Sequence, residues 1–200
     1  MDRTMLRDVS RYWFGDLASP AAYPADRAEI WFKPSDATDS EIARRFGPWL
    51  KPAAAQAWDL DGLSRAEGVG LVVLLDQFPR NIFRTSPEAF AYDERVLAIA
   101  RHFVATRLDD FYLIERTFLL LPYEHSENLA DQEEGVRLYE ALVAEAPADQ
   151  TERYRGFLSF AEKHRDIIAQ FGRFPHRNPL LGRQSTAEEA AFLAEKGRGF

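Results

Sequence analysis

Two hundred residues with 46% hydrophobic content suffice to close one compact core, so a single domain spanning 1–200 is expected. The chain has no cysteine, which excludes disulfides, thiolate nucleophiles and cysteine-ligated zinc or iron–sulfur centres. A net charge of −7 and a pI near 5.2 argue against general nucleic-acid binding, which draws its affinity from basic surface.

The N-terminal run Met1–Asp8 alternates charged with apolar residues and lacks the continuous apolar stretch of a secretory signal. The longest apolar run, Leu71–Leu75, is far short of the roughly 20 residues that span a bilayer. A cytoplasmic protein without a membrane or nucleic-acid partner is the expectation.

Trp13, Trp31, Trp49 and Trp58 all precede residue 60, where the chain is also rich in proline. Arg11–Gly15 reads as a helix running into a glycine stop, and Pro24, Pro34, Pro48 and Pro52 cut the next stretch of chain into short pieces. Tryptophan and phenylalanine at these joints are read as core plugs in preference to ligand-stacking groups. Ser64-Arg65-Ala66-Glu67 has the form of a capping box, in which each side chain satisfies an otherwise unbonded amide at a helix start. Val69, Val72, Val73, Leu74 and Leu75 almost encircle the helix that this box opens, which predicts a buried central element. A nucleotide-binding turn at Gly68-Val69-Gly70 fails because position 73 is valine and the glycines precede the apolar run.

Asp93 is read as the cap of a helix over 94–107 with Val96, Leu97, Ala100, Phe103 and Val104 at helical spacing. His102 falls off that stripe, as a solvated histidine would. An apolar helix over 111–121 meets Pro122, and another covers about 128–146. A long helix from about Thr151 to Phe171 places Tyr154, Phe157, Leu158, Ala161, His164, Ile168 and Phe171 on one face, with Gly172 as its left-handed cap. Ser185-Thr186-Ala187-Glu188 offers a second capping box. No period-2 strand or hairpin turn appears, so the class is all-α, an antiparallel helical bundle or array.

Three polar segments interrupt this pattern: Asp76–Asn81, Glu124–Glu127, and His164–Asp166 continuing to Gly172–Asn178. They contain three of the four histidines. If the helix before Pro122 continues through it, Glu124, Glu127, Asn128 and Asp131 share one face. Crowded carboxylates there would raise a pKa or recruit a cation; the competing reading is an ordinary acidic helix start. No His-Glu-x-x-His or Glu-x-x-His pair occurs, so no metal site is assigned and the cofactor is left unknown. His164 on an apolar face needs a buried partner, for which Asp76 is a tertiary candidate. Arg173, His176, Arg177 and Asn178 lie on a stretch stiffened by Pro175 and Pro179, and Arg80, Asn81 and Arg84 form a similar set after Pro79, with Gln77 as a further candidate ligand residue. Guanidinium forks suit a small anion, or pair with Asp76, Glu124, Glu127 and Asp131 as structural ties. No nucleophile elbow, Walker loop or Ser-x-x-Lys is present.

The strings Leu74–Arg84, Leu121–Gln132 and His164–Asn178, with Tyr12–Asp16 and Leu181–Thr186, closely resemble the bacterial domain-of-unknown-function family 924 over essentially the whole chain. The resemblance implies a helical fold similar to the tetratricopeptide-like superfamily and assigns no catalytic role to any residue. Two functional readings stand. In the first, Arg80, Arg173 and Arg177 hold a small anion while His125, His164 or His176 handles a proton and Asp76 or Glu124 orients an imidazole. In the second, a helical module grips a peptide or protein partner, with the polar motifs as struts.

Overall fold

The computed structural model describes residues 2–33 and 35–197; Pro34, one of the predicted breaks, lies outside them. Among the described residues the regular structure is helical and no strand occurs. The chain divides into two compact units, 1–122 and 123–200.

In the first unit, helices α1 (Thr4–Phe14), α2 (Ala28–Phe32), α3 (Asp36–Phe46) and α4 (Leu50–Ala55) are short, as the prolines and Gly15 demand. They precede the long α5 (Arg65–Ile82), against which α1, α3, α4 and α6 (Asp93–Arg107) pack. The Ser64 capping box forms as predicted: Ser64 Oγ accepts from the Glu67 amide while Glu67 accepts from the Ser64 amide at 2.9 Å. Every residue from Glu67 to Asp76 is buried, so α5 is the central element that its encircling valines and leucines require.

Gly70 explains how α1 lies so close to it. A Cβ there would sit 2.0 Å from the Leu6 carbonyl oxygen, well inside van der Waals contact, so only glycine permits this spacing. Trp13 is buried edge-on to Phe78 and Phe118, at 5.6 and 5.8 Å between ring centres, and Trp31 packs on Phe118 at 4.9 Å. Trp49 departs from the core reading, at 37% exposure. Asp93 is not a cap. Tyr92 occupies the N-cap position of α6 without a side-chain bond, because the Asp93 carboxylate is drawn to Arg80. His102 is not simply solvated either, since its Nε2 lies 2.8 Å from Asp61 Oδ1.

The division between units falls within α7 (Leu113–Glu124), which continues through Pro122 for two residues and then stops. In the second unit α8 (Leu129–Glu145) and α9 (Thr151–Phe171) pack together across a five-residue connection, an antiparallel helical hairpin. Asn128 caps α8 by accepting from the Ala130 amide at 2.9 Å. Gly172, at φ +67°, closes α9 with its amide on the Ile168 carbonyl, and a short 3-10 turn over Pro175–Arg177 comes next. Helix α10 (Ala187–Lys196) packs on that turn. Ile167, Ile168 and Phe174 form a buried apolar cluster backed by Phe171 and Phe192.

Candidate functional site

The predicted polar residues fall into two groups, one in each unit. On the last turns of α5, one terminal nitrogen of Arg80 donates to both carboxylate oxygens of Asp93, at 2.9 and 3.0 Å. Its other terminal nitrogen donates to the Asp76 carbonyl at 2.7 Å and approaches the fully buried Asp76 carboxylate at 3.4 Å. Gln77 Nε2 donates to Asp76 Oδ2 at 2.6 Å. Asn81 donates to Asp39 at 2.8 Å, and Arg84 grips the same carboxylate. Burial works against the Arg80 cation, but Asp76 and Asp93 outweigh it and raise its pKa. Here the arginines are matched to carboxylates of the same unit, which is the geometry of structural ties.

The second unit brings together His125, His164, His176, Glu124 and Arg177, while the Asn178 amide nitrogen is turned to Ser185 and Glu189. His164 is buried on α9, with its ring centre 6.4 Å from that of His125 and 5.7 Å from that of Phe174. Phe174 in turn stands 5.6 Å from His176 and carries the Arg177 guanidinium 4.5 Å above its ring. Phe174 thus touches His164, His176 and Arg177, and His125 stands next to His164. Glu124, Arg177 and Asn178 are all buried, and His125 and His176 are half-buried.

His164 Nδ1 lies 2.8 Å from the Phe160 carbonyl and 3.4 Å from Glu124 Oε2. The second distance suggests an ion pair, but an ion pair needs a protonated ring. Burial pushes the His164 pKa down to about 3, against the Phe160 hydrogen bond, and the nearby His125, Arg177 and His176 push the same way. The ring is neutral at pH 7, with Nδ1–H donating to Phe160 and the lone pair on Nε2.

The shared carboxylate face is not formed. The helix ends at Glu124 because the chain turns, with the Ser126 amide on the Tyr123 carbonyl at 3.2 Å. Ser126 Oγ then donates to Asp131 at 2.7 Å. Glu127 instead takes both terminal nitrogens of Arg183, at 2.7 and 2.9 Å, and the Phe174 amide at 2.8 Å. Burial raises the Glu127 pKa, but these donors and the charges of Arg183 and Arg177 prevail and hold it below the usual carboxylate value. Among the described residues no three histidine or carboxylate groups are placed as a metal site needs.

Arg173, an expected ligand group, is bidentate to Glu189 at 2.6 and 2.8 Å. Asn178 Nδ2 reaches Ser185 Oγ at 3.1 Å and Glu189 at 3.2 Å. The hydrogen bond from Arg173, with that from the Thr186 amide, takes the Glu189 pKa down to about 2 despite burial. The capping box of α10 is Thr186 with Glu189, one residue later than predicted. Sequence reasoning missed Glu189, Arg183 as the partner of Glu127, and Gln132, whose Nε2 donates at 2.7 Å to the carbonyls of both Glu124 and Ser126.

Among known proteins, no curated sequence matches the chain. A solved structure of a protein of unknown function from Agrobacterium tumefaciens is similar to it, with a TM-score of 0.78 and 30% identity over 96% of this chain and 98% of that one. The model of a family described as a bacterial protein of unknown function, DUF924, matches residues 9–197. Motifs, helical architecture and near-complete coverage agree, and the chain belongs to the DUF924 family.

Proposed function

We propose that the second unit binds a small anionic molecule at the cluster around Phe174, with Arg177 supplying the charge and the half-buried His125 and His176 handling a proton. The supporting observation is the gathering of two imidazoles, His164 and His176, and the Arg177 guanidinium about the Phe174 ring, with the His125 ring next to that of His164. Two neighbouring carboxylates, Glu127 and Glu189, are gripped by Arg183 and Arg173, and Glu124 is the acid nearest His164. A guanidinium fork with protonatable imidazoles beside it suits an anion. His164, held neutral with its lone pair on Nε2, acts as a fixed hydrogen-bond acceptor; its pKa is too low for a general base at pH 7. Arg80 and Arg173, engaged by Asp93 and Glu189, have a structural role in this reading.

A second reading, a tetratricopeptide-like module for a peptide or protein partner, draws support from the α8–α9 hairpin and its exposed Phe160 and Leu129. A thermal-shift screen against phosphorylated metabolites, carboxylates and nucleotides separates the two. A ligand at about 100 times its dissociation constant adds roughly 2.7 kcal/mol, a rise of several degrees at this size. The rise is expected in the wild type and not in Arg177→Met, which keeps a long side chain over Phe174. If no anion moves the wild-type midpoint, the small-ligand reading fails and the module reading takes its place.

A further inference from the structure

Resting on that reading of the site, we infer that Gln132 is the positioning residue for His125. His125 sits in a tight turn after α7, closed by the Ser126 amide on the Tyr123 carbonyl at 3.2 Å. A turn residue at a helix end has few constraints of its own, and its side chain sweeps a wide arc when the flanking peptides rock. Gln132, one turn into α8 and 1% exposed, removes that freedom. Its amide nitrogen donates to the carbonyls of Glu124 and Ser126, both at 2.7 Å, so the peptide before His125 and the peptide after Ser126 are pinned to one side chain, while the peptide between them is held by the Ser126 amide on Tyr123.

The amide cannot be reversed, because two carbonyl oxygens demand a donor. Its own Oε1 is buried with no hydrogen-bond partner among the described residues. Burying an acceptor in this way is unfavourable, so the clamp is held in place at the expense of that oxygen. The same turn is braced from a second side by Ser126 Oγ, which donates to Asp131 and accepts from the Asn128 amide at 3.2 Å. The half-buried ring of His125 is thereby kept 6.4 Å, centre to centre, from His164.

The test uses NMR of the full chain without ligand, reading the ring-proton NOE between His125 and His164. It compares wild type with Gln132→Met, similar in length but without donors, and with Leu142→Ala, a core truncation elsewhere on α8 that lowers stability without touching the turn. The NOE should fall at least threefold in Gln132→Met and stay unchanged in Leu142→Ala. An unchanged NOE in Gln132→Met, or an equal loss in both variants, overturns the inference. If Gln132→Met does not fold, Gln132→Asn, too short to reach both carbonyls, is read by the same criterion. Inorganic phosphate titrated into the three proteins then addresses the site itself. Binding weakened fivefold or more in Gln132→Met alone extends the positioning role to ligand. No binding even in wild type rules out free phosphate as the anion, leaving the site reading to the thermal-shift screen, while the NOE still decides the role of Gln132.

Discussion

The buried His164 makes a prediction whose sign is opposite under the two interpretations of its surroundings. If the 3.4 Å approach to Glu124 were an ion pair, the folded pKa would lie above 6.5 and acidification toward pH 5 would stabilise the protein. With the folded pKa at about 3 and an ordinary value of 6.5, the unfolded chain takes up the proton first. Stability is then fully present above pH 6.5 and falls as the pH drops from there toward 3. Between pH 7 and pH 5 the folded ring stays neutral while the unfolded one goes from mostly neutral to almost wholly charged. Linkage over that interval gives a loss of about 2 kcal/mol, or roughly 4–8 °C in melting temperature for a chain of this size. The assay is urea unfolding of wild type and His164→Asn at both pH values. Asparagine keeps a donor for the Phe160 carbonyl and does not titrate, so the variant should lose about 2 kcal/mol less than wild type between the two conditions. Its overall stability will be lower because of the smaller side chain, but that offset cancels in the difference. Equal losses, or a wild type that gains stability at pH 5, would refute the burial argument.

Glu189 controls a lower pH window. Its folded pKa of about 2 lies below the ordinary 4.5, so its contribution is present above pH 4.5 and lost as pH falls toward 2. Glu189→Gln should flatten the acid limb only there, and should also loosen the tie between α10 and Arg173, since a glutamine offers a single acceptor oxygen to a two-nitrogen fork while the Thr186 cap remains; circular dichroism melts from pH 5 to pH 2 check both. Ser64→Ala removes half of the capping box on α5 and should cost about 1 kcal/mol in urea unfolding. Gly70→Ala must push α1 off α5, since backbone and not a flexible side chain stands in the way, and should cost about 3 kcal/mol or more; a change under about 1 kcal/mol would mean the two helices are not held at this spacing.

The elements legible in the sequence are those whose signals are local. Gly172 ends α9 where the sequence predicts a left-handed cap, and Ser64 opens α5 with its reciprocal bonds. The errors arise where a tertiary partner decides between equal local choices. Ser185-x-x-Glu188 and Thr186-x-x-Glu189 fit the capping pattern equally well, and Arg173 and Asn178 select the second by binding Glu189. Asp93 is a sound cap by composition, yet Arg80 claims it. The continuous acidic face past Pro122 is a reasonable helical projection, and the turn at Ser126 cancels it. The site is visible as a concentration of histidine and arginine. Which arginines are struts is not, because ion pairing across 13 or 16 residues, as in Arg80–Asp93 and Arg173–Glu189, leaves no periodic trace. Gln132 escapes for a related reason: its partners are main-chain carbonyls, which every residue possesses.

The bare backbone at Gly70 also bears on how the first unit comes to exist in time. The α1 and α5 residues that meet are 60 positions apart, as Arg7 and Glu67 are, so during synthesis the amphipathic first helix emerges well before its seat is made. At roughly 5–20 residues per second that interval is several seconds, during which Leu6, Val9, Trp13 and Phe14, all buried in the finished fold, have nothing of α5 to cover them. A chain released before residue 70 would therefore leave the apolar face of α1 without the seat that α5 provides.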